Sequence, residues 1–150
     1  MDEIDTDSSS YATHTGGPME LRLGADYTHL PTIRSMAGNV ATRADFDMDT
    51  IADLRIAVDE ACATLLNAAR PDGTLVCRFS VGDSVLRFTA AVQTSATEAP
   101  GTGTFGWQVL TTLTDSVRYW IDSDTVGAVP WLHVELTKAN PLAGGSVNGG

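Results

Sequence analysis

Between Ala52 and Ala69 the chain reads Ala-Asp-Leu-Arg-Ile-Ala-Val-Asp-Glu-Ala-Cys-Ala-Thr-Leu-Leu-Asn-Ala-Ala, and its apolar residues return with helical period. Ile51, Leu54, Val58, Ala61, Cys62, Leu65 and Ala69 are spaced at i, i+3, i+4 and i+7, which gathers them into one stripe. At about 100° per residue, Asp53, Glu60, Thr64 and Asn67 fall on the opposite side, roughly above one another. That side carries carboxylates, a hydroxyl and an amide in a row, with Ile56 beside them, where a plain surface helix would carry Lys and Glu. Two readings are open. The face is a solvated one, or the helix packs on a sheet with its apolar side and lines a polar cleft with the other.

The length fits one domain with a real core. A formal charge of −10 argues against nucleic acid, since phosphate binding needs clustered Lys and Arg, and it suits a basic protein partner. No apolar run approaches the roughly 20 residues of a membrane span. The start of the chain lacks the basic and apolar regions of a secretion signal, so the expected location is cytoplasmic, with no membrane partner. Cys62 and Cys77 fall in an expected core helix and core strand and are expected as buried, reduced thiols; a disulfide or redox switch is the alternative.

Residues 1–18 are rich in Asp, Ser, Thr and Gly without period and are expected to form a disordered acidic arm. Residues 140–150, with Pro141 and a run of glycines, are expected to be a flexible tail. The folded domain then spans 19–139. Within it, Met19 to Ala25 alternates as a strand, and Thr28 is placed to cap a helix over Leu30 to Thr42, with Pro31 in its first turn. Ile33, Ala37, Val40 and Ala41 share one face of that helix. Acidic residues of Asp45 to Thr50 sit where the second helix starts, and Arg70-Pro-Asp-Gly73 ends it. Leu75 to Val81 and Val85 to Val92 alternate as two strands about a Gly82-Asp83 hairpin turn. Gln93 to Thr104 is a long loop without apolar period. A third helix is expected over Phe105 to Val117, then strands Arg118 to Ile121 and Trp131 to Thr137. The order predicts a two-layer α/β sandwich, a mostly antiparallel sheet with helices on one face.

His14, His29 and His133 are scattered, and no Cys or His pair has zinc spacing. There is no nucleophile elbow and no Gly-x-x-x-x-Gly-Lys-Ser loop. Gly101-Thr-Gly-Thr-Phe-Gly106 places glycines before a helix, an arrangement that lets backbone N–H groups meet a phosphate.

Leu54-Arg-Ile-Ala-Val-Asp-Glu-Ala-Cys-Ala-Thr64 resembles the Asn-box helix of the RsbW-type anti-sigma factors, members of the Bergerat-fold superfamily of gyrase, histidine-kinase and mismatch-repair ATPases. Phe105-Gly-Trp-Gln-Val-Leu-Thr-Thr-Leu-Thr-Asp-Ser-Val117 resembles the family's segment after the ATP lid. The likeness covers about Met19 to Lys138 and is strongest to the mycobacterial and actinobacterial branch that restrains a sigma-F-type stress sigma factor.

The resemblance implies a histidine-kinase-like ATPase fold and a homodimer that binds a sigma factor and is antagonised by an anti-anti-sigma protein. It places the catalytic Glu at Glu60 and the sigma-contacting Arg at Arg34. It puts the Mg²⁺-holding Asn at Thr64, with Asn67 one turn on, and nucleotide-loop positions at Gly103, Thr104 and Gly106. Position 64 is thus Thr rather than Asn, and position 104 is Thr rather than Gly. From Leu86 to Phe105 there is no Asp to receive adenine; Glu98 is the only acid there. Losing an adenine hydrogen bond to a charged group, about 1.5–3 kcal/mol, weakens ATP by roughly one to two decades. The resemblance therefore implies an anti-sigma factor whose ATP/ADP and magnesium binding is weak or lost. The alternative it allows is an active Ser/Thr protein kinase that phosphorylates the anti-anti-sigma factor with Mg-ATP.

Overall fold

The computed structural model describes residues 17–122 and 128–142. Most of the acidic arm and the glycine run of the tail lie outside the described residues. The order is β1 (Met19–Gly24), a 3-10 turn (Tyr27–His29), α1 (Leu30–Arg43), α2 (Met48–Asn67), β2 (Thr74–Gly82), β3 (Val85–Gln93), α3 (Phe105–Leu113), β4 (Ser116–Asp122) and β5 (Trp131–Ala139). The strands form one sheet in the order β1-β2-β3-β5-β4, and every pairing is antiparallel rather than most of them. Alternation explains the layering. Leu75, Cys77 and Phe79 of β2, Leu86, Phe88 and Val92 of β3, and Leu132, Val134 and Leu136 of β5 are buried on one face under the helices. Phe79 and Phe88 pair across the β2–β3 ladder with ring centroids 4.9 Å apart.

Helix α2 seals that face. Leu54, Val58, Ala61, Cys62 and Leu65 are fully buried as the stripe predicts; Ala57 and Leu66 join them, while Ile51 is only half-buried. Buried alanines at 37 and 41 of α1 and at 57 and 61 of α2 leave room for close helix approach. At Gly38 the Arg55 stem passes 3.3 Å from where a Cβ would stand. The Asp47 side chain caps α2 by accepting from the Thr50 N–H. Cys62 and Cys77 are free and buried. Contact with the Cys77 thiol, and then burial, raises the Cys62 thiol well above its ordinary range, which keeps it unreactive.

Three local expectations are corrected. Thr28 does not cap α1; a 3-10 turn intervenes, Asp26 accepts from the Thr28 N–H at 2.8 Å, and His29 sits at the N-cap without a side-chain bond. With Pro31 in the first turn, α1 has one fewer N–H to satisfy. The β2–β3 turn is Asp83-Ser84, both left-handed with φ of 54° and 63°, and Gly82 belongs to β2. Those signs are the ones a two-residue hairpin with right-handed strand twist requires. Helix α3 stops at Leu113, not Val117: Thr114 is extended, its hydroxyl bonds the Leu110 carbonyl at 2.6 Å, and the Asp115 N–H reaches Thr137 of β5. Val117 then faces inward from β4, so a period of i+4 and i+7 matched the wrong element.

Asn140 is buried; its N–H bonds the Ser84 carbonyl at 2.8 Å and its amide reaches the Asp45 carbonyl at 3.3 Å. The outward sheet face holds Glu135 between Arg87 and Arg118, and His133 stacked on Trp120 at 4.9 Å.

Burial lowers the His133 imidazole below its usual 6.5, against an opposing pull from Asp122. The folded state therefore resists protonation there, and its advantage is lost as pH falls below about 6.5. In urea titrations at pH 7.5 and 5.5, His133→Phe, which keeps the stacking, should lose less stability on acidification than the wild type. Leu65→Ala should cost about 2–5 kcal/mol at pH 7.5, a cavity under α2 being the cause.

Candidate functional site in the cleft between the second and third helices

The polar side of α2 meets the head of α3. Glu60 is half-buried at the seam. The Thr64 hydroxyl lies 3.0 Å from the Glu60 carbonyl oxygen and 3.2 Å from its Oε2, so one proton serves the backbone and the carboxylate. Such back-bonding is how a short hydroxyl satisfies itself inside a helix. One turn on, Asn67 Oδ1 accepts the Tyr27 hydroxyl from the 3-10 turn. The Thr104 hydroxyl caps α3, accepting the Trp107 N–H at 3.1 Å. Around Gly103 a Cβ would meet nothing within 4 Å.

Gly106 meets the seam directly. A Cβ there would run into the Glu60 carboxylate, at Oε2 and Cδ. Carboxylate approach, not a special backbone angle, is what a side chain at position 106 would disturb, by displacing the end of the Glu60 side chain. Behind the seam, Tyr119 reaches in from β4 with its ring 5.9 Å from that of Trp107. Its hydroxyl is buried beside Thr64 and Glu60 without a hydrogen bond of normal geometry. Burial pushes the Tyr119 phenol up to about 12; the Glu60 charge adds to this, and contact with Thr64 opposes it.

On its other flank Glu60 lines a groove of about 570 Å³ with Arg34, Arg55, Ile56, Asp59 and Phe105. Phe105 is 80% exposed and Ile56 52%, large apolar side chains facing solvent among charges. Arg34 Nε lies 3.1 Å from Asp59 Oδ1, and both side chains are more than a third exposed, so the pair orients the guanidinium without contributing much stability.

The structure thus brings Glu60, Thr64 and Gly106 together, sets Arg34 in the groove that Glu60 also lines, turns Asn67 toward Tyr27, and uses Thr104 as a helix cap. Tyr27, Phe105 and Tyr119 were not singled out from sequence as site residues. Strand alternation puts Tyr119 on the inner face, but only the β4–β5 register and the crossing of α2 bring its hydroxyl to Thr64.

A two-layer antiparallel sandwich with a Glu-bearing central helix facing a glycine-headed one is the arrangement of the histidine-kinase-like ATPases. A family model for the histidine kinase-like ATPase domain matches residues 23–129. Two curated proteins are similar along most of the chain, both named anti-sigma-F factor RsbW. They come from Mycobacterium tuberculosis strains CDC 1551 / Oshkosh and ATCC 25618 / H37Rv. Each is 39% identical over 116 residues, covering 74% of this chain and 68% of theirs. The chain belongs to the histidine kinase-like ATPase family, in its RsbW-type anti-sigma group. Among the described residues no helix is long and apolar enough to cross a membrane.

The Gly106–Glu60 contact has a thermodynamic signature. Ala normally exceeds Gly in a helix by up to about 1 kcal/mol. Gly106→Ala should nevertheless lower the melting temperature, and in a Glu60→Ala background the same change should become neutral or stabilising. The double-mutant cycle by thermal denaturation should show a coupling of about 1 kcal/mol or more.

Proposed function

We propose that this protein is an anti-sigma factor that binds and sequesters a general-stress sigma factor and releases it when an anti-anti-sigma protein competes for the same surface. It acts as a homodimer. The Arg34 groove carries the reading. It joins a fixed guanidinium, a second arginine at position 55 and exposed apolar side chains at 56 and 105, the mixture that anchors protein partners. The chain's net charge of −10 steers a basic partner toward it. The name and 39% identity of the two relatives support the same conclusion.

The nucleotide site is degenerate in this reading, because the residues do not fit magnesium-ATP well. At the family's Asn position the chain offers only the short Thr64 hydroxyl, which donates its proton to Glu60, and the Asn67 amide oxygen is drawn toward the Tyr27 hydroxyl, a poorer donor set for Mg²⁺ than an Asn amide at position 64. The acid at position 98 is exposed, and no Asp lies between Leu86 and Phe105 to take adenine. ATP or ADP with magnesium is therefore held weakly or not at all. The kinase alternative needs Glu60 to accept a proton from a partner Ser and a metal-bound nucleotide to supply the phosphoryl group, and the residue types at 64 and between Leu86 and Phe105 suit the second requirement poorly. Sequestration ranks above phosphoryl transfer for that reason.

Arg34→Glu should weaken binding to a sigma-F-type sigma factor at least about thirtyfold, the scale of roughly 2 kcal/mol for losing an interfacial charge contact. The circular dichroism spectrum should stay unchanged, as the Arg34–Asp59 pair is exposed. Undiminished capture in a pull-down would overturn the assignment.

A further inference from the structure

We propose that Arg55, seated across Gly38 of α1, is the carboxylate-binding residue of the partner groove. The stretch of the sigma factor that docks there sets an Asp or Glu beside apolar side chains. This rests on the anti-sigma reading above and names the chemistry of what the groove receives.

Four charged side chains line the groove: Arg34, Arg55, Asp59 and Glu60. Arg34 and Asp59 balance one another, with Nε 3.1 Å from Oδ1. Glu60 lies at the seam with α3, its Oε2 3.2 Å from the Thr64 hydroxyl. Arg55 is exposed, and among the described residues its guanidinium has no ion pair or hydrogen bond. Its stem is nevertheless held. A Cβ on Gly38 would stand 3.3 Å from the Arg55 Cδ and 3.8 Å from its Nε, so the missing side chain is what lets the arginine lie against α1. A stem laid across a neighbouring helix has given up rotamer freedom in advance, which lowers the entropy lost on docking. The planar guanidinium takes a carboxylate through two parallel hydrogen bonds. Ile56, next in the chain, and Phe105 expose apolar surface along the same groove. A segment that satisfies the cation and covers these side chains carries an acid among aliphatic or aromatic residues. The chain's charge of −10 draws a basic partner from a distance; the unbalanced cation at 55 selects which part of that partner seats.

The test is calorimetric titration of the full chain with a sigma-F-type sigma factor. Arg55→Ala should weaken binding at least about tenfold and make it less sensitive to salt. Arg55→Lys, which keeps the charge but not the fork, should fall between that variant and the wild type. Gly38→Ala should weaken binding on its own and have no effect in the Arg55→Ala background, because Gly38 acts through the arginine. Arg55→Glu should lose binding and regain it with an Asp→Lys or Glu→Lys change in the sigma factor that does nothing for Arg55→Ala. Circular dichroism spectra should be unchanged; should Arg55→Ala not fold, Arg55→Gln takes the same readout. Wild-type affinity in the folded variant overturns the proposal and leaves the anti-sigma reading standing. Failure of every such change in the sigma factor to restore binding overturns it equally. A wild-type chain that does not bind the sigma factor removes both.

Discussion

Burial of the α2 stripe over the sheet is the contact from which the remaining geometry follows. Leu54, Val58, Ala61, Cys62 and Leu65 lie against the inner faces of the sheet strands, and every one of them is fully removed from water. Each large aliphatic side chain so buried contributes on the order of 1.5–3 kcal/mol, far more than any surface ion pair in the molecule. That packing fixes the rotation of the helix about its axis. Once the rotation is set, Glu60, Thr64 and Asp59 have no freedom to choose their neighbours. They point toward α1 and α3 because the opposite side is committed to the core.

The polar side of α2 divides into two surfaces with different chemistry. Toward α1, Asp59 holds Arg34 in the mouth of an open groove with exposed Ile56 and Phe105. Toward the head of α3, Glu60 and Thr64 spend their polar atoms on each other and against Gly106. The first surface retains groups that a partner protein can engage. The second is inward-looking. On the histidine kinase-like ATPase fold, an open groove with exposed apolar and cationic groups thus lies beside a polar seam in which Thr64 and Glu60 bond one another.

The layered fold and most element boundaries were legible in the sequence because they rest on periodicity and turn chemistry, which are local. The stripe of α2, the alternation of β2, β3 and β5, and the acidic start of α2 belong to this group. The misreadings occurred where a local signal had two solutions. Val117 continues the apolar period of α3 and equally suits the inner face of β4; the sheet hydrogen bond from Asp115 to Thr137 decides between them. Thr28 is a good cap by type, but the backbone enters α1 through a 3-10 turn that Asp26 caps instead.

By itself the sequence determined the class of fold, the apolar and polar sides of its central helix, the net acidity, and the presence of Thr at 64 on that helix and at 104 before the next one, where the family resemblance leads one to expect Asn and Gly. Only the tertiary structure decided what those residues touch. That Thr64 bonds Glu60, that Asn67 is taken by Tyr27, and that Gly106 makes room for a carboxylate are contacts either within one helical turn or across long chain separations. Spacing along a chain sets which face a side chain occupies. Its partner is set by the element packed against that face, and this follows from burial summed over the whole core.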